Sequence, residues 1–287
     1  MTKRDLKEYL LVCVAVVIVR FILPGLLWAA EPPPSSPRIV QAQAILTVSE
    51  SKRLIAKAVK EMPIVKDALA NGMVIIIKGT TNRYVAEEIT GKKIEKAAFV
   101  RGRIEPEKGG KHLPDVKVLP DVVLEKGKVV DIPLADAVKK LKPGDVVIKG
   151  ANALDYKNKL AAVNIGDPSG GTTGISLPYV VARKAYLVIP VGLEKLVAED
   201  IVDLTLKMRE PVETLNGLQS MFLLTGEIVT ELEAINILTG ATAFQCSAGG
   251  IGGAEGSVWL VFRGTKEQVT KALDLVHSIQ GEPPYIE

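Results

Sequence analysis

Cysteine, histidine and aromatic side chains are scarce in this sequence, and each shortage removes a class of function. The two cysteines are Cys13 and Cys246. Cys13 falls in an N-terminal apolar segment, so no disulfide framework is expected. Cys246 has no histidine near it in sequence and reads as a small buried hydrophobe before a nucleophile. The two histidines, His112 and His277, stand far apart without a cysteine partner, which argues against a zinc site. No metal and no cofactor is expected. Aromatics amount to 5%, too few for a base-stacking surface. The 36 basic residues are interspersed with 33 acidic ones, for a net charge of +3, so the clustered basic face of a nucleic-acid binder is missing as well. No repeat or long amphipathic face suggests a purely structural protein.

What is present is apolar bulk. The 287 residues are 47% hydrophobic and 24% charged, enough for one large core or two modest ones. Residues 1–37 combine Lys3, Arg4 and Lys7, an apolar stretch over 10–30, and a proline-serine linker ending at Pro37. This pattern predicts a secretory signal peptide or an N-terminal membrane anchor in residues 1–30, with the body exported or held at a membrane through that segment alone. A mis-assigned start codon ahead of a cytoplasmic domain is the alternative. Residues 38–215 read as an α/β ligand-binding domain and residues 216–287 as a ferredoxin-like α+β lobe.

Thr47 and Glu50 have the spacing of a capping box ahead of Leu54, Ile55, Ala58, Val59 and Met62, and Pro63 ends that helix. The runs 73–77, 146–148 and 186–191 are apolar without alternation. That suits strands buried on both faces of a mostly parallel, Rossmann-like sheet with helices on both sides. The first run leads into Gly79-Thr80-Thr81-Asn82 and a helix, and the second into Lys149-Gly150-Ala151-Asn152. The loop 167–174 carries Ser169, Gly170, Gly171, Thr172 and Thr173 ahead of another helix. Free N–H groups and the positive end of a helix dipole attract phosphate or carboxylate. The expected ligand-binding residues are therefore Gly79, Thr80, Thr81, Asn82, Gly150, Asn152, Ser169, Gly170, Gly171, Thr172 and Thr173. Plain tight turns are the competing explanation.

Residues 92–128 read as an inserted flap in which Arg101, Arg103 and His112 either reach an anion or face solvent. Lys149, Asp155 and Glu194 are the candidate catalytic residues, Lys149 to stabilise an enolate oxygen and either carboxylate to shuttle a proton. A cap or surface role explains the two carboxylates equally well. Beyond residue 216 the pattern reads strand 220–224, helix 227–238, strands 242–247 and 257–262, and helix 265–279, the order of a ferredoxin-like lobe. The glycine-rich loop 248–256 has no helix directly after it, so it is a hairpin or a lid rather than a dinucleotide fingerprint.

The segment Val146-Val147-Ile148-Lys149-Gly150-Ala151-Asn152-Ala153-Leu154-Asp155, with Asn164-Ile165-Gly166 and the helix and strand beyond it, resembles a known superfamily. It includes ribose-5-phosphate isomerases, CoA-transferases and regulatory subunits of the initiation factor that exchanges guanine nucleotide. Ile77-Lys78-Gly79-Thr80-Thr81-Asn82 is similar to the phosphate turn of its sugar-phosphate isomerases. The resemblance spans residues 73–191. It implies an α/β fold, a sugar phosphate or CoA thioester as partner, and a homodimer. Asn152 stands where the isomerases tend to carry Asp, and the glutamate-glycine motif of CoA-transferases has no match. Two readings follow: an enzyme isomerising a phosphorylated or acyl small molecule, or a non-catalytic binder or sensor of an anionic metabolite.

Overall fold

The computed structural model describes residues 38–102, 104–108 and 114–285. Strand β1 (Val40–Leu46) leads to helix α1 (Val48–Glu61). The capping box sets the start of α1, with the Glu50 N–H donating to Thr47 Oγ1 at 3.4 Å and the Thr47 N–H to Glu50 Oε2 at 2.8 Å. Pro63 cannot donate to the preceding turn, so α2 (Pro63–Asn71) starts there as a separate helix. The chain continues through β2 (Met73–Ile76), α3 (Thr80–Thr90), the hairpin β3 (Val122–Glu125) and β4 (Lys128–Val130), α4 (Leu134–Ala137) and β5 (Val146–Ile148). Next come the hairpin β6 (Ala153–Asp155) and β7 (Leu160–Ile165), α5 (Gly171–Arg183), β8 (Tyr186–Pro190), α6 (Ile201–Lys207) and β9 (Ser220–Leu224). The last elements are β10 (Glu227–Val229), α7 (Glu231–Thr239), β11 (Thr242–Ala248), β12 (Val258–Gly264) and α8 (Lys266–Ile279).

The protein is α/β, organised on a six-stranded, mostly parallel sheet of order β10-β8-β5-β2-β3-β4. Strands β2, β5, β8 and β10 run parallel, whereas β3 and β4 add on antiparallel beyond β2. Strands β2 and β5 are buried along their whole length, as their unbroken apolar sequence requires. From β2 the chain next joins the sheet on one side, at β3, and from β5 on the opposite side, at β8. The crevice at the carboxyl ends of β2 and β5 is therefore a topological switch point, where such sheets bind ligands. Two smaller antiparallel sheets, β1-β12-β11 and β6-β7-β9, complete the architecture.

Several expectations are corrected. The β-α-β-β-α series beyond residue 216 is divided among all three sheets: β9 pairs with β7, β10 with β8, and β11 with β12, which in turn pairs with β1. Residues 39–287 cluster as one unit, with the larger apolar core running from Leu46 to Ile279 and a small second cluster formed by Ala153, Ala162, Ile201 and Met221. Glu227 to Val229 is strand rather than the first turn of a helix. The helix waits for Thr230, whose N–H and hydroxyl both meet Glu233 Oε2, at 2.9 and 2.6 Å. Cys246 is exposed, at a register shift in the β11–β12 pairing, rather than buried. Among the described residues no helix is long and apolar enough to cross a membrane, so the expectation of a transmembrane segment finds no support there. Residues 1–37, on which that expectation and the signal peptide rest, lie outside the described residues, as do Arg103 and His112.

Candidate functional site

A cleft of about 420 Å³ opens at the carboxyl ends of β2 and β5, within the range of small-molecule sites. Its walls come from the start of α3, the turn after β5, strand β7, the start of α5, and Val100 to Gly102 with Ile104 of the flap. The sequence-predicted residues Gly79, Thr80, Thr81, Asn82, Gly150, Asn152, Gly170, Gly171, Thr172 and Thr173 all line it, together with Lys149. Gly79 and Gly150, about seventy positions apart in sequence, meet here because β2 and β5 are neighbours in the sheet. Ser169 is not part of the lining. Its side chain donates to Asp167 Oδ1 and its backbone N–H reaches the same oxygen at 2.8 Å.

Asn82 holds the cleft floor together. Its buried amide nitrogen donates to Ile77 O at 2.6 Å and Ile148 O at 3.2 Å, tying the ends of β2 and β5. Its Oδ1, and the Oγ1 of Thr81, are buried and have no hydrogen-bond partner among the described residues. Buried polar atoms ordinarily have one, from protein, water or ligand. Asn152 Oδ1 accepts from the Asn164 N–H at 3.0 Å and fixes the turn after β5 against β7.

The walls are cationic. Lys78, Lys149, Lys195 and Arg101 line the cleft, with Asp167 as the carboxylate among them. Lys78 is spent on Leu119 O at 2.6 Å, and Lys195 on Ala151 O at 2.8 Å. Lys149 is 6% exposed, and no described residue engages its ammonium in a hydrogen bond or ion pair. Burial lowers its pKa from 10.5 to about 8, against the opposing field of Asp121. Burial likewise lowers Lys78.

Neither candidate carboxylate lies in the cleft lining. Asp155 closes the β6–β7 turn, accepting from the Asn158 N–H at 3.0 Å and Nδ2 at 2.8 Å, bonds that hold its pKa below the ordinary value. Glu194 folds back over Gly192, where a Cβ would collide with its carboxylate. It faces the wholly buried Glu231, whose Oε2 accepts from the Leu193 N–H at 3.0 Å. Burial, reinforced by Glu194, pushes Glu231 up to about 7. Lys52 belongs to the same cluster, and burial lowers it to about 8 while Glu194 opposes the shift. Sequence reasoning missed this cluster, Lys78, Lys195 and Asp167. Local spacing does not single out Lys52, and the packing of α1 against α7 buries it. Arg101 was legible as a flap cation, and the structure places it on the lining.

The chain matches no family model, no curated protein and no solved structure, so the geometry of the cleft carries the functional reading.

Proposed function

We propose that this protein binds an anionic small molecule, its anionic group seated at the N-terminus of α3 beside Lys149. One observation carries the reading: α3 starts at Gly79 with no side chain capping its first N–H groups, and the disengaged ammonium of Lys149 lines the same cleft. The helix dipole and those N–H groups favour a phosphate or carboxylate there. Buried Thr81 Oγ1 and Asn82 Oδ1 on the same wall support the reading, because a ligand's hydroxyls would satisfy them. The cleft volume favours a sugar phosphate over the far larger CoA thioester.

The resemblance to the sugar-phosphate isomerase superfamily, and a Rossmann-like reading of the parallel strands, belong to this proposal. Isomerisation itself is the weaker part. A proton shuttle needs a basic carboxylate within reach of the substrate, and Asp155 and Glu194 are outside the lining. Asp167 is on it, but bonds from the Ser169 hydroxyl and the N–H groups of Ser169 and Gly171 hold its pKa down. The non-catalytic binder or sensor is therefore preferred to the isomerase.

The test is thermal unfolding of the full chain with sugar phosphates, CoA thioesters and inorganic phosphate. A ligand at a hundred times its dissociation constant adds ~2.7 kcal/mol, which raises the midpoint by about 5–10 °C for a chain of this size. A rise with phosphorylated compounds and none with their unphosphorylated counterparts is expected. Equal response to both would overturn the reading.

A further inference from the structure

The cleft holds three lysines, and their engagements differ. Lys78 and Lys195 each donate to a backbone carbonyl. That fixes their ammonium groups as structural donors. Lys149 projects from the carboxyl end of the central strand β5, is almost wholly buried, lines the cleft, and donates to no described residue. A buried lysine left unpaired costs stability, because its charged form has lost water and gained no partner. A purely anion-binding role would be served as well by a solvated lysine or an arginine, without that burial cost. An amine carried on a rigid strand and largely buried at the edge of a ligand-sized cleft is instead the arrangement of a nucleophile.

Resting on the reading of the cleft as an anion site, we propose that Lys149 condenses with the carbonyl group of an anionic aldehyde or ketone whose phosphate or carboxylate sits at the start of α3. The neutral amine attacks the carbonyl carbon, forming the N–C bond as the C=O π electrons move to oxygen. That oxygen takes up a proton, and nitrogen loses one. The resulting carbinolamine expels water to give an imine, which is protonated in the cleft. No oxidant or reductant is needed, and the reaction reverses on addition of water. Burial, which lowers the Lys149 pKa to about 8, raises the fraction of uncharged amine near neutral pH above that of an ordinary lysine and so supplies the nucleophile without a separate base. The substrate class is thereby narrowed to small anionic carbonyl compounds.

The experiment treats the full chain with glyceraldehyde 3-phosphate and sodium cyanoborohydride, which reduces an imine to a stable secondary amine, and locates the adduct by peptide mass spectrometry. The expected result is an adduct on Lys149 in excess of any exposed lysine by on the order of tenfold at pH 7, the larger neutral fraction being partly offset by the weaker nucleophilicity of the less basic amine. Labelling of Lys149 should rise with pH and level off above about 8, whereas surface lysines keep rising. Inorganic phosphate should protect Lys149, and unphosphorylated glyceraldehyde should label it more slowly. Lys149→Arg should lose the adduct. Adducts spread evenly over the lysines would overturn the proposal. A phosphate-dependent thermal shift without an adduct on Lys149 would overturn the imine and leave the anion site standing. Absence of both would overturn the two together.

Discussion

The two glycine-bearing helix starts that face the cleft look alike in sequence, yet different forces account for them. At α5 the glycines answer to the chain itself. Gly170 and Gly171 have φ of +82° and +54°, and a Cβ on Gly174 would collide with the Ser169 carbonyl oxygen. The helix start there already has its anion, since the Asp167 carboxylate accepts from Ser169 and Gly171. At α3 none of this holds. Gly79 has φ of 169°, extended backbone open to any residue, and a Cβ there would meet nothing within 4 Å. No carboxylate caps the helix, and Lys149 shares its wall of the cleft. Backbone geometry explains the glycines at α5, whereas at α3 the missing side chain leaves room for something to approach the N–H groups. The two starts are therefore unequal: α3 receives the anion, and α5 shapes the opposite wall.

The largest expected effect concerns Lys149. Its pKa is lowered by burial from 10.5 to about 8. Between about pH 8 and 10.5 the unfolded chain holds a proton that the folded chain has released, so stability rises with pH across that window, and the whole penalty applies below it. Lys149→Met should remove that contribution and raise the unfolding free energy at pH 7 by about 3 kcal/mol, while abolishing the thermal shift with phosphate. Lys52, also lowered to about 8, gives wild type and variant a common slope, so the readout is the difference between their urea denaturation curves from pH 7 to 11. A variant no more stable than wild type at pH 7 would mean that Lys149 is solvated.

Next in size is Gly174→Ala. The collision with the Ser169 carbonyl should lower stability by about 1–3 kcal/mol, measured by the same denaturation. An unchanged midpoint would remove the structural explanation of the α5 glycines. The smallest effect on stability is expected at Gly79. Gly79→Ala should move it by no more than about 1 kcal/mol, since lost chain entropy and the weaker helix cap oppose each other. Phosphate binding, followed by calorimetry, should nonetheless weaken. Full retention of binding would erase the distinction between the two helix starts.

Much of this organisation was legible from local chemistry. Unbroken apolar runs marked β2, β5 and β8, because strands covered on both faces have no reason to alternate. Thr47 and Glu50 marked the start of α1, because a capping box needs only neighbours in sequence. The glycine and hydroxyl residues at positions 79–82 and 170–173 marked two walls of the cleft for the same reason. Illegible were β1, the β6–β7 hairpin and β10. Strand β10 has three residues and is held by parallel pairing with β8, a partner no local window contains. Glu194 looked like a site carboxylate from its place after a buried strand. Its rotation away, toward Glu231 and Lys52, depends on how α1 and α7 pack together.

The sequence by itself determined which segments are buried strands, where several helices start, and which turns can offer N–H groups to an anion. All of these follow from interactions within a few residues. Tertiary structure alone decided that the ends of β2 and β5 lie side by side, that the segment beyond residue 216 is shared among three sheets, and that Lys149 is left without a partner among the described residues. Each of those depends on what is brought near from far along the chain, and burial, which sets the charge on an amine, is a property of the assembled fold.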